Sequence, residues 1–217
     1  MNKKFISGLV VIIFCLTFAF SAIAQTNVPS REDIKAKRTE LNTQLKKAQE
    51  AAKNRLEAAR EEVKKTVEAR RTELKDKISK LRDEKKKQIA TRLDEQMARL
   101  NTQWTDHFSN VLNRLSEILG KIELRATKAE TSGKDVAAAK AAIQNAKTAI
   151  ETARTAVETQ AKKTYVATFS SETGLGAAFK AVREQLRKDL FGLRDGAMKS
   201  SRETVQNALQ ALKGLNF

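Results

Sequence analysis

Hydrophobic residues recur at every eleventh position through the first half of the chain. One uninterrupted column consists of Leu45, Leu56, Val67, Ile78, Ile89, Leu100, Val111 and Ile122. With shorter apolar columns beside it, about three positions in eleven are apolar, which predicts one stripe along a helix face. No Gly or Pro occurs between Ser30 and Leu119. We therefore expect residues 30–131 to form one nearly unbroken helix.

The apolar stripe rotates and then widens beyond the lysine triplet at residues 85–87. Before that point it is narrow and flanked by charged residues, whereas after Met97 it includes both aromatic and aliphatic side chains. A narrow stripe suits one partner helix, and a wide one suits two. The sequence therefore predicts a charged, coiled-coil-like stalk over residues 25–96 and a helical bundle over residues 97–217. Any irregularity in the long helix is expected between Lys85 and Met97.

Turn and heptad patterns divide the predicted bundle. Gly133 can end one helix and Asp135 can cap the next, so an antiparallel hairpin is expected there. A heptad of apolar residues alternating with alanines follows, and a Ser- and Gly-containing break near residues 165–176 precedes a last helix. The fold expected is all-α, a stalk leading into a three-helix bundle or helical hairpin, with bundle helices at about 97–131, 135–164 and 173–213. Gly192 and Gly196 weaken the last helix locally.

The core of the predicted bundle should be formed by the large apolar residues that share the inward face of each helix. These residues are Trp104, Phe108, Leu115, Ile122, Ile143, Ile150, Val182 and Leu186. Because the wide face begins at Trp104, we expect the last helix to pack on the hairpin and complete the bundle.

The first 24 residues have the organisation of a secretory signal peptide. Lys3 and Lys4 precede an apolar run at residues 5–20, and the small residues Ala22 and Ala24 form a cleavage signal before Gln25. We expect cleavage after Ala24 and export to the periplasm, the cell surface or the medium; an uncleaved membrane anchor is the alternative. The single cysteine, Cys15, lies within this segment. The mature chain would therefore have no disulfide and no thiol chemistry.

The chain is strongly basic. Its formal net charge is +16, and removal of residues 1–24 takes away two lysines and no acid, which leaves +14. Such a charge favours anionic partners, without distinguishing lipid surfaces from nucleic acid or other polyanions. Basic and acidic residues alternate along most of the first helix, and only short clusters stand out, namely Arg70 with Arg71 and Lys85 with Lys86 and Lys87.

The residues that carry most catalytic chemistry are scarce. His107 is the only histidine, and we expect it to be a partly buried residue of the helix seam rather than a catalytic group or ligand. The acidic residues have no His or Cys at metal-ligand spacing, and no glycine-rich phosphate loop follows a predicted strand. The sequence therefore predicts a protein that is not an enzyme, with no cofactor, no metal and no small-molecule substrate.

One segment resembles a known group of proteins. The run from Arg114 to Arg125, followed by Gly133 to Asp135 and an alanine-rich heptad helix, is similar to uncharacterised exported all-helical (coiled-coil) proteins of bacteria with reduced genomes. The similarity covers roughly residues 100–165. It implies export and a helical fold, and that group has no known function to transfer.

The apolar stripe of the long helix must be covered for the helix to be stable. In an isolated helix, the conformational entropy lost on ordering the backbone exceeds the stabilising free energy of the ion pairs and the uncovered stripe. Another copy or another part of this chain could supply the cover. Since the last helix is too short to cover the whole stripe, we expect self-association or docking to an envelope protein through Leu45, Leu56, Val67 and Ile78. The alternatives are binding to anionic lipid, binding to polyanions including nucleic acid, and a holding chaperone with helical arms.

Overall fold

The computed structural model describes residues 31–214, so the predicted signal peptide lies outside the described residues. Within this range there is no β-strand, and the all-α prediction is confirmed. The elements are α1 (Arg31–Ser79), α2 (Glu84–Thr131), α3 (Ala137–Ala161), a 3₁₀ helix (Glu172–Gly174), α4 (Leu175–Leu193), a π-helical segment (Arg194–Met198) and α5 (Lys199–Lys213).

The chain reverses direction between α1 and α2, at residues 80–83. Polar side chains of the two helices meet at three levels, and the pairs are Gln49 with Glu117, Arg60 with Asp106, and Arg71 with Asp94. Each step forward along α1 is thus matched by a similar step back along α2, as in an antiparallel hairpin. The expectation of one unbroken helix over residues 30–131 is therefore wrong.

An aspartate, not a glycine or proline, starts the new helix at this reversal. Asp83 has extended backbone angles (φ −87°, ψ 113°), and its carboxylate accepts hydrogen bonds from the N–H groups of Lys85 at 2.8 Å and Lys86 at 3.2 Å. These contacts satisfy N–H groups that have no partner in the first turn of a helix. Leu81 is buried within the turn. The cap at Asp83 and the burial of Leu81 together offset the loss of backbone hydrogen bonds where the helix is interrupted.

The hairpin expected between α2 and α3 is present. Gly133 has a φ of +77°, which favours glycine, and the N–H of Lys134 donates to the carbonyl of Ala129 at 3.0 Å. The carboxylate of Asp135 accepts from the N–H of Ala137 at 2.9 Å. The chain therefore turns where the sequence predicts, through a left-handed glycine.

The last helical region keeps one direction, but its hydrogen-bonding pattern changes from α-helical to π-helical and back. The π-helical segment separates α4 from α5 and includes Gly196, close to the weak point expected at Gly192 and Gly196. Beyond this segment α5 packs against α2 and α3, and the hydroxyl of Ser201 donates to the carbonyl of Ala149 at 3.0 Å.

The helices alternate in direction along the chain. α1 runs parallel to α3, because Arg55 pairs with Glu151 and Lys162 pairs with Glu62. α1 packs against α2 and α3, so from Leu41 to Ile78 it forms part of the bundle rather than projecting from it as a stalk. The proposed boundary at residues 96 and 97 falls inside α2 and does not coincide with the end of a helix.

One half of the bundle lacks a complete third helix. α3 ends at Ala161, level with Asn101, to whose side chain Gln160 is hydrogen-bonded. The irregular segment 162–171 then continues to Glu172, which pairs with Lys86. This distance corresponds to about 22 Å along α2. The first part of α2 is consequently covered by α1, α4 and an irregular segment, and its sides are less completely enclosed.

Candidate functional site: a basic-rimmed apolar groove

The four residues of the predicted interaction seam are largely covered by this chain itself. Leu56 and Ile78 are buried, whereas Leu45 and Val67 are partly buried. A Cβ atom at Gly120 would lie 3.0 Å from Cδ1 of Leu45, so glycine permits the close approach of α1 to α2. Leu56 and Ile78 are therefore not available to a partner protein. The expectation that another molecule binds through all four seam residues does not fit this packing.

The residues of the predicted bundle core fall into two groups. Trp104, Leu115 and Val182 are partly buried and pack against the core, whereas the remaining five are buried, namely Phe108, Ile122, Ile143, Ile150 and Leu186. His107 is exposed, not partly buried as expected, and lies edge-on to Trp104 with ring centroids 6.0 Å apart.

The two basic clusters contribute mainly to ion pairs within the chain. Arg71 lies 3.3 Å from the carboxylate of Asp94. Lys86 lies 2.9 Å from Glu172, and Lys87 lies 3.1 Å from Glu84. The other two residues, Arg70 and Lys85, are exposed and form no ion pair with a described residue. The clusters are thus divided between structural and surface roles and do not form one cationic site.

A buried arginine joins α1, α2 and α3. The guanidinium of Arg154 donates to Oδ1 of Asn113 at 2.9 Å and to Oγ of Ser116 at 3.2 Å, and its Nε lies 3.3 Å from Glu151. Glu151 also pairs with Arg55 of α1 at 3.2 Å. Burial lowers the pKa of Arg154, and the neighbouring Glu151 opposes this effect. Because the charges are matched within the chain, this cluster has the composition of a structural contact.

A second polar network holds the irregular segment in place. The amide of Gln160 donates to Oδ1 of Asn101 at 3.0 Å and to the hydroxyl of Tyr165 at 2.7 Å. The Tyr165 hydroxyl in turn donates to Oδ2 of Asp189 at 2.7 Å, and Lys163 lies 3.1 Å from the same carboxylate. This chain of contacts connects α2, the end of α3, the irregular segment and α4.

The environment of this network shifts two pKa values in opposite directions. Burial, together with hydrogen bonding to Asp189, raises the pKa of the Tyr165 hydroxyl, which therefore stays protonated as a donor. Burial alone would raise the pKa of Asp189, but hydrogen bonds from Tyr165, Lys163 and Gln185 outweigh it and lower the pKa. Asp189 is therefore a charged acceptor that holds the segment against α4.

An apolar groove lies between the first part of α2 and α4 where the bundle is incompletely enclosed. Its volume is about 320 Å³. The α2 side presents Ile89, Leu93 and Leu100, and the α4 side presents Leu175 and Phe179. Ile89 is 55% exposed and Leu100 is 41% exposed. These two large aliphatic residues occupy the eleven-residue column of the sequence, but none of the helices within residues 31–214 covers them fully.

Cationic side chains border the α4 side of this groove. Lys180 and Arg183 line it. Arg183 has neither an ion pair nor a hydrogen bond with any described residue, and the nearest carboxylate to Lys180 is that of Glu184, at 4.0 Å. Arg187 lies one turn further along α4 and Phe191 two turns further, and both extend the same exposed side. The groove therefore combines exposed apolar surface with two positive charges, and that of Arg183 has no ion-pair partner among residues 31–214.

An exposed aromatic ring lies at the far end of this basic side. The guanidinium carbon of Arg194 is 4.3 Å from the ring centroid of Phe191, and that of Arg187 is 5.8 Å away. Both distances are within the range of cation–π contacts. The exposed ring thus lies beside two guanidinium groups, of which that of Arg194 is also paired with Asp195 at 2.7 Å.

Within residues 31–214 no three His, Cys, Asp or Glu side chains are grouped so that they could hold a metal ion. None of the helices in that range has a stretch long and apolar enough to cross a membrane. Searches of protein-family models, of curated proteins and of solved structures found no match to this chain.

Sequence reasoning missed the groove and the buried polar residues for related reasons. Asp94, Asn101 and Thr105 occupy inward positions of α2, in register with Ala90 and Met97. A polar residue at an inward, normally apolar position of a helical pattern indicates a buried polar contact, and this signal was present in the sequence. No comparable signal identified the groove, because Ile89 and Leu100 belong to the same periodic column as residues that are buried.

Proposed function

We propose that this chain is a non-enzymatic interaction protein of the cell envelope, exported through its N-terminal signal segment, that binds anionic lipid surfaces. The observation that carries the proposal is the groove between α2 and α4, where exposed Ile89 and Leu100 lie beside Lys180 and Arg183. Lipid surfaces are contacted by apolar side chains together with basic ones. Attraction to a polyanion by charge alone would require basic residues but no exposed apolar residues beside them.

The long-range charge supports the same proposal. A net charge of +14 after residue 24 attracts the protein to an anionic surface before any specific contact forms. Each Lys or Arg close to such a surface contributes about 1 kcal/mol. Phe191, which is 38% exposed, supplies an aromatic ring of the type enriched in helices at lipid interfaces. The aromatic contribution comes from α4 and lies outside residues 25–103, which contain no aromatic residue.

Self-association through the long helix is less well supported than lipid binding. Its apolar stripe is covered at Leu56 and Ile78 by other helices of the same chain. Binding to nucleic acid would use the same positive charge, but it gives no role to the exposed Ile89 and Leu100. Nucleic acid is therefore a competing partner to be included in the test.

Co-sedimentation with vesicles tests this proposal. We expect binding to vesicles of phosphatidylglycerol mixed with phosphatidylcholine, weak binding to phosphatidylcholine alone, and a decrease in binding as salt is added. Competition by a single-stranded oligonucleotide should be weak. Equal binding to both vesicle types, or tighter binding to the oligonucleotide than to anionic vesicles, would contradict the proposal.

A further inference from the structure

The groove between α2 and α4 has the size and lining of a ligand site. Its volume of about 320 Å³ is at the lower end of the range for small-molecule pockets, which are mostly apolar with a few polar groups. Ala90, Met97 and Phe179 are buried at its base, and Ile89 and Leu100 stand at its edge. A slender apolar ligand would cover these exposed edge residues.

The shape of the apolar surface limits what can occupy it. Ile89 and Leu100 are eleven residues apart on α2, a distance of about 16 Å along the helix axis. Leu93 and Gln96 lie between them on the same side, so this wall carries no charge. A long, narrow and uncharged group, such as an acyl chain, matches this wall.

The charges of the groove lie on the opposite wall. Arg183 has no carboxylate partner among residues 31–214, and Lys180 is only loosely paired with Glu184 at 4.0 Å. An occupant with an anionic group would therefore gain contacts that the chain itself does not supply. An apolar peptide helix would leave Arg183 without an anionic partner.

The geometry points to a site for a single-chain anionic amphiphile. Its acyl chain lies along the α2 wall between Ile89 and Leu100, and its carboxylate or phosphate head group is held by Lys180 and Arg183. This inference rests on the proposed binding to anionic lipid and specifies which part of the protein contacts one lipid molecule. A fatty acid and a lysophospholipid share this chemistry, so the experiment includes both.

Titration calorimetry of the purified protein below the critical micelle concentration tests the site. The probes are myristate, myristoyl lysophosphatidylglycerol and, as the zwitterionic comparison, myristoyl lysophosphatidylcholine. We expect at least one anionic probe to bind with one-to-one stoichiometry and more tightly than the zwitterionic probe. Whichever anionic probe binds identifies the source of the head group.

Two groove variants and two matched controls assign the binding to this surface. Leu100→Gln should weaken binding of the anionic probe about tenfold because it places a polar amide on the acyl wall. Arg183→Gln should weaken the anionic probe by a similar factor and leave the zwitterionic probe nearly unchanged. Ile118→Gln, at an α2 residue that is 43% exposed outside the groove, and Arg202→Gln on the exposed side of α5 should bind like the original protein.

The outcomes separate this inference from the proposed function. All four residues are partly or fully exposed, and circular dichroism verifies that each variant keeps its helices. Vesicle binding that persists while no single-chain probe binds, or while both groove variants match the controls, would overturn the groove site and leave lipid binding intact. Failure of the original protein to bind anionic vesicles would overturn the proposed function itself.

Discussion

The guanidinium Nη2 of Arg71 lies 3.3 Å from Oδ2 of Asp94 and also donates to the carbonyl of Asp94 at 3.2 Å. In an unbroken helix these two residues would be about 35 Å apart along the axis. The contact therefore exists only because α1 and α2 fold back on each other. It places a buried carboxylate inside the hairpin and gives it one close cationic partner.

The buried carboxylate should make stability depend on pH. Burial raises the pKa of Asp94, and the charges of Arg71 and Lys75 only partly oppose this effect. Since the folded state holds this proton more tightly than the unfolded state, the contribution of Asp94 to stability declines as pH rises above its ordinary pKa of about 4. We expect Asp94→Asn to raise the thermal unfolding midpoint at pH 7 and to have little effect below pH ~4.

The control for this prediction is the adjacent exposed residue, Glu95. Glu95→Gln removes the same charge from the same helix, outside the hairpin interface, and should change the midpoint much less at either pH. Thermal melts followed by circular dichroism at several pH values measure both variants. A midpoint for Asp94→Asn that falls at pH 7 would show that the ion pair with Arg71 outweighs the cost of burial.

The antiparallel hairpin can be tested by crosslinking. Gln49→Cys with Glu117→Cys, in a chain whose Cys15 is replaced by serine, should form an intramolecular link with a short bifunctional maleimide. The amide of Gln49 lies 3.0 Å from the carboxylate of Glu117, whereas an unbroken helix would separate them by about 100 Å. Gln49→Cys with Arg99→Cys is the control, because the hairpin places residue 99 far from residue 49. Efficient linking of the control pair alone would exclude this register.

The network at Tyr165 should contribute measurably to stability. Tyr165→Phe leaves Gln160 and Asp189 without the hydroxyl between them, and the loss should be about 1–3 kcal/mol in the free energy of unfolding at pH 7. The lowered pKa of Asp189 stabilises the fold above its ordinary pKa, and this contribution is lost as pH falls. The difference between variant and original should therefore shrink in acid. Thr168→Ala, at an exposed neighbour, serves as the control in urea unfolding.

Core packing distinguishes two leucines on α2. Leu112 is fully buried, whereas Leu115 is only partly buried. Leu112→Ala should lower the free energy of unfolding by about 2–5 kcal/mol, and Leu115→Ala should cost clearly less. Urea unfolding of both variants gives the comparison. Equal losses would mean that the two positions are equally enclosed, contrary to the described packing.

Much of the local structure could be predicted from the sequence. The apolar stripe with its eleven-residue spacing predicts the helices of the first half, and Gly133 with Asp135 predicts the second turn. The weak point at Gly196 lies within the π-helical segment. These features depend on near neighbours: the face a side chain occupies, the φ a residue tolerates, and the N–H group that a carboxylate can reach.

The first turn and the groove could not be predicted in the same way. Asp83 and Lys87 are spaced as a helical ion pair, yet in the structure Asp83 caps a new helix and Lys87 pairs with Glu84. Both arrangements are locally acceptable. The choice depends on whether a second helix covers the stripe of α1, and residues far along the chain supply that helix.

The sequence by itself determined the all-α class, because periodicity and turn residues act within a few positions. Only the tertiary structure decided which members of one repeating column are covered and which are exposed. Leu56 and Ile78 are enclosed by neighbouring helices, while Ile89 and Leu100 are exposed where α3 has already ended. The physical reason is that burial depends on the lengths and directions of all the helices together, so identical residues at identical spacing can stabilise a core or form a binding surface.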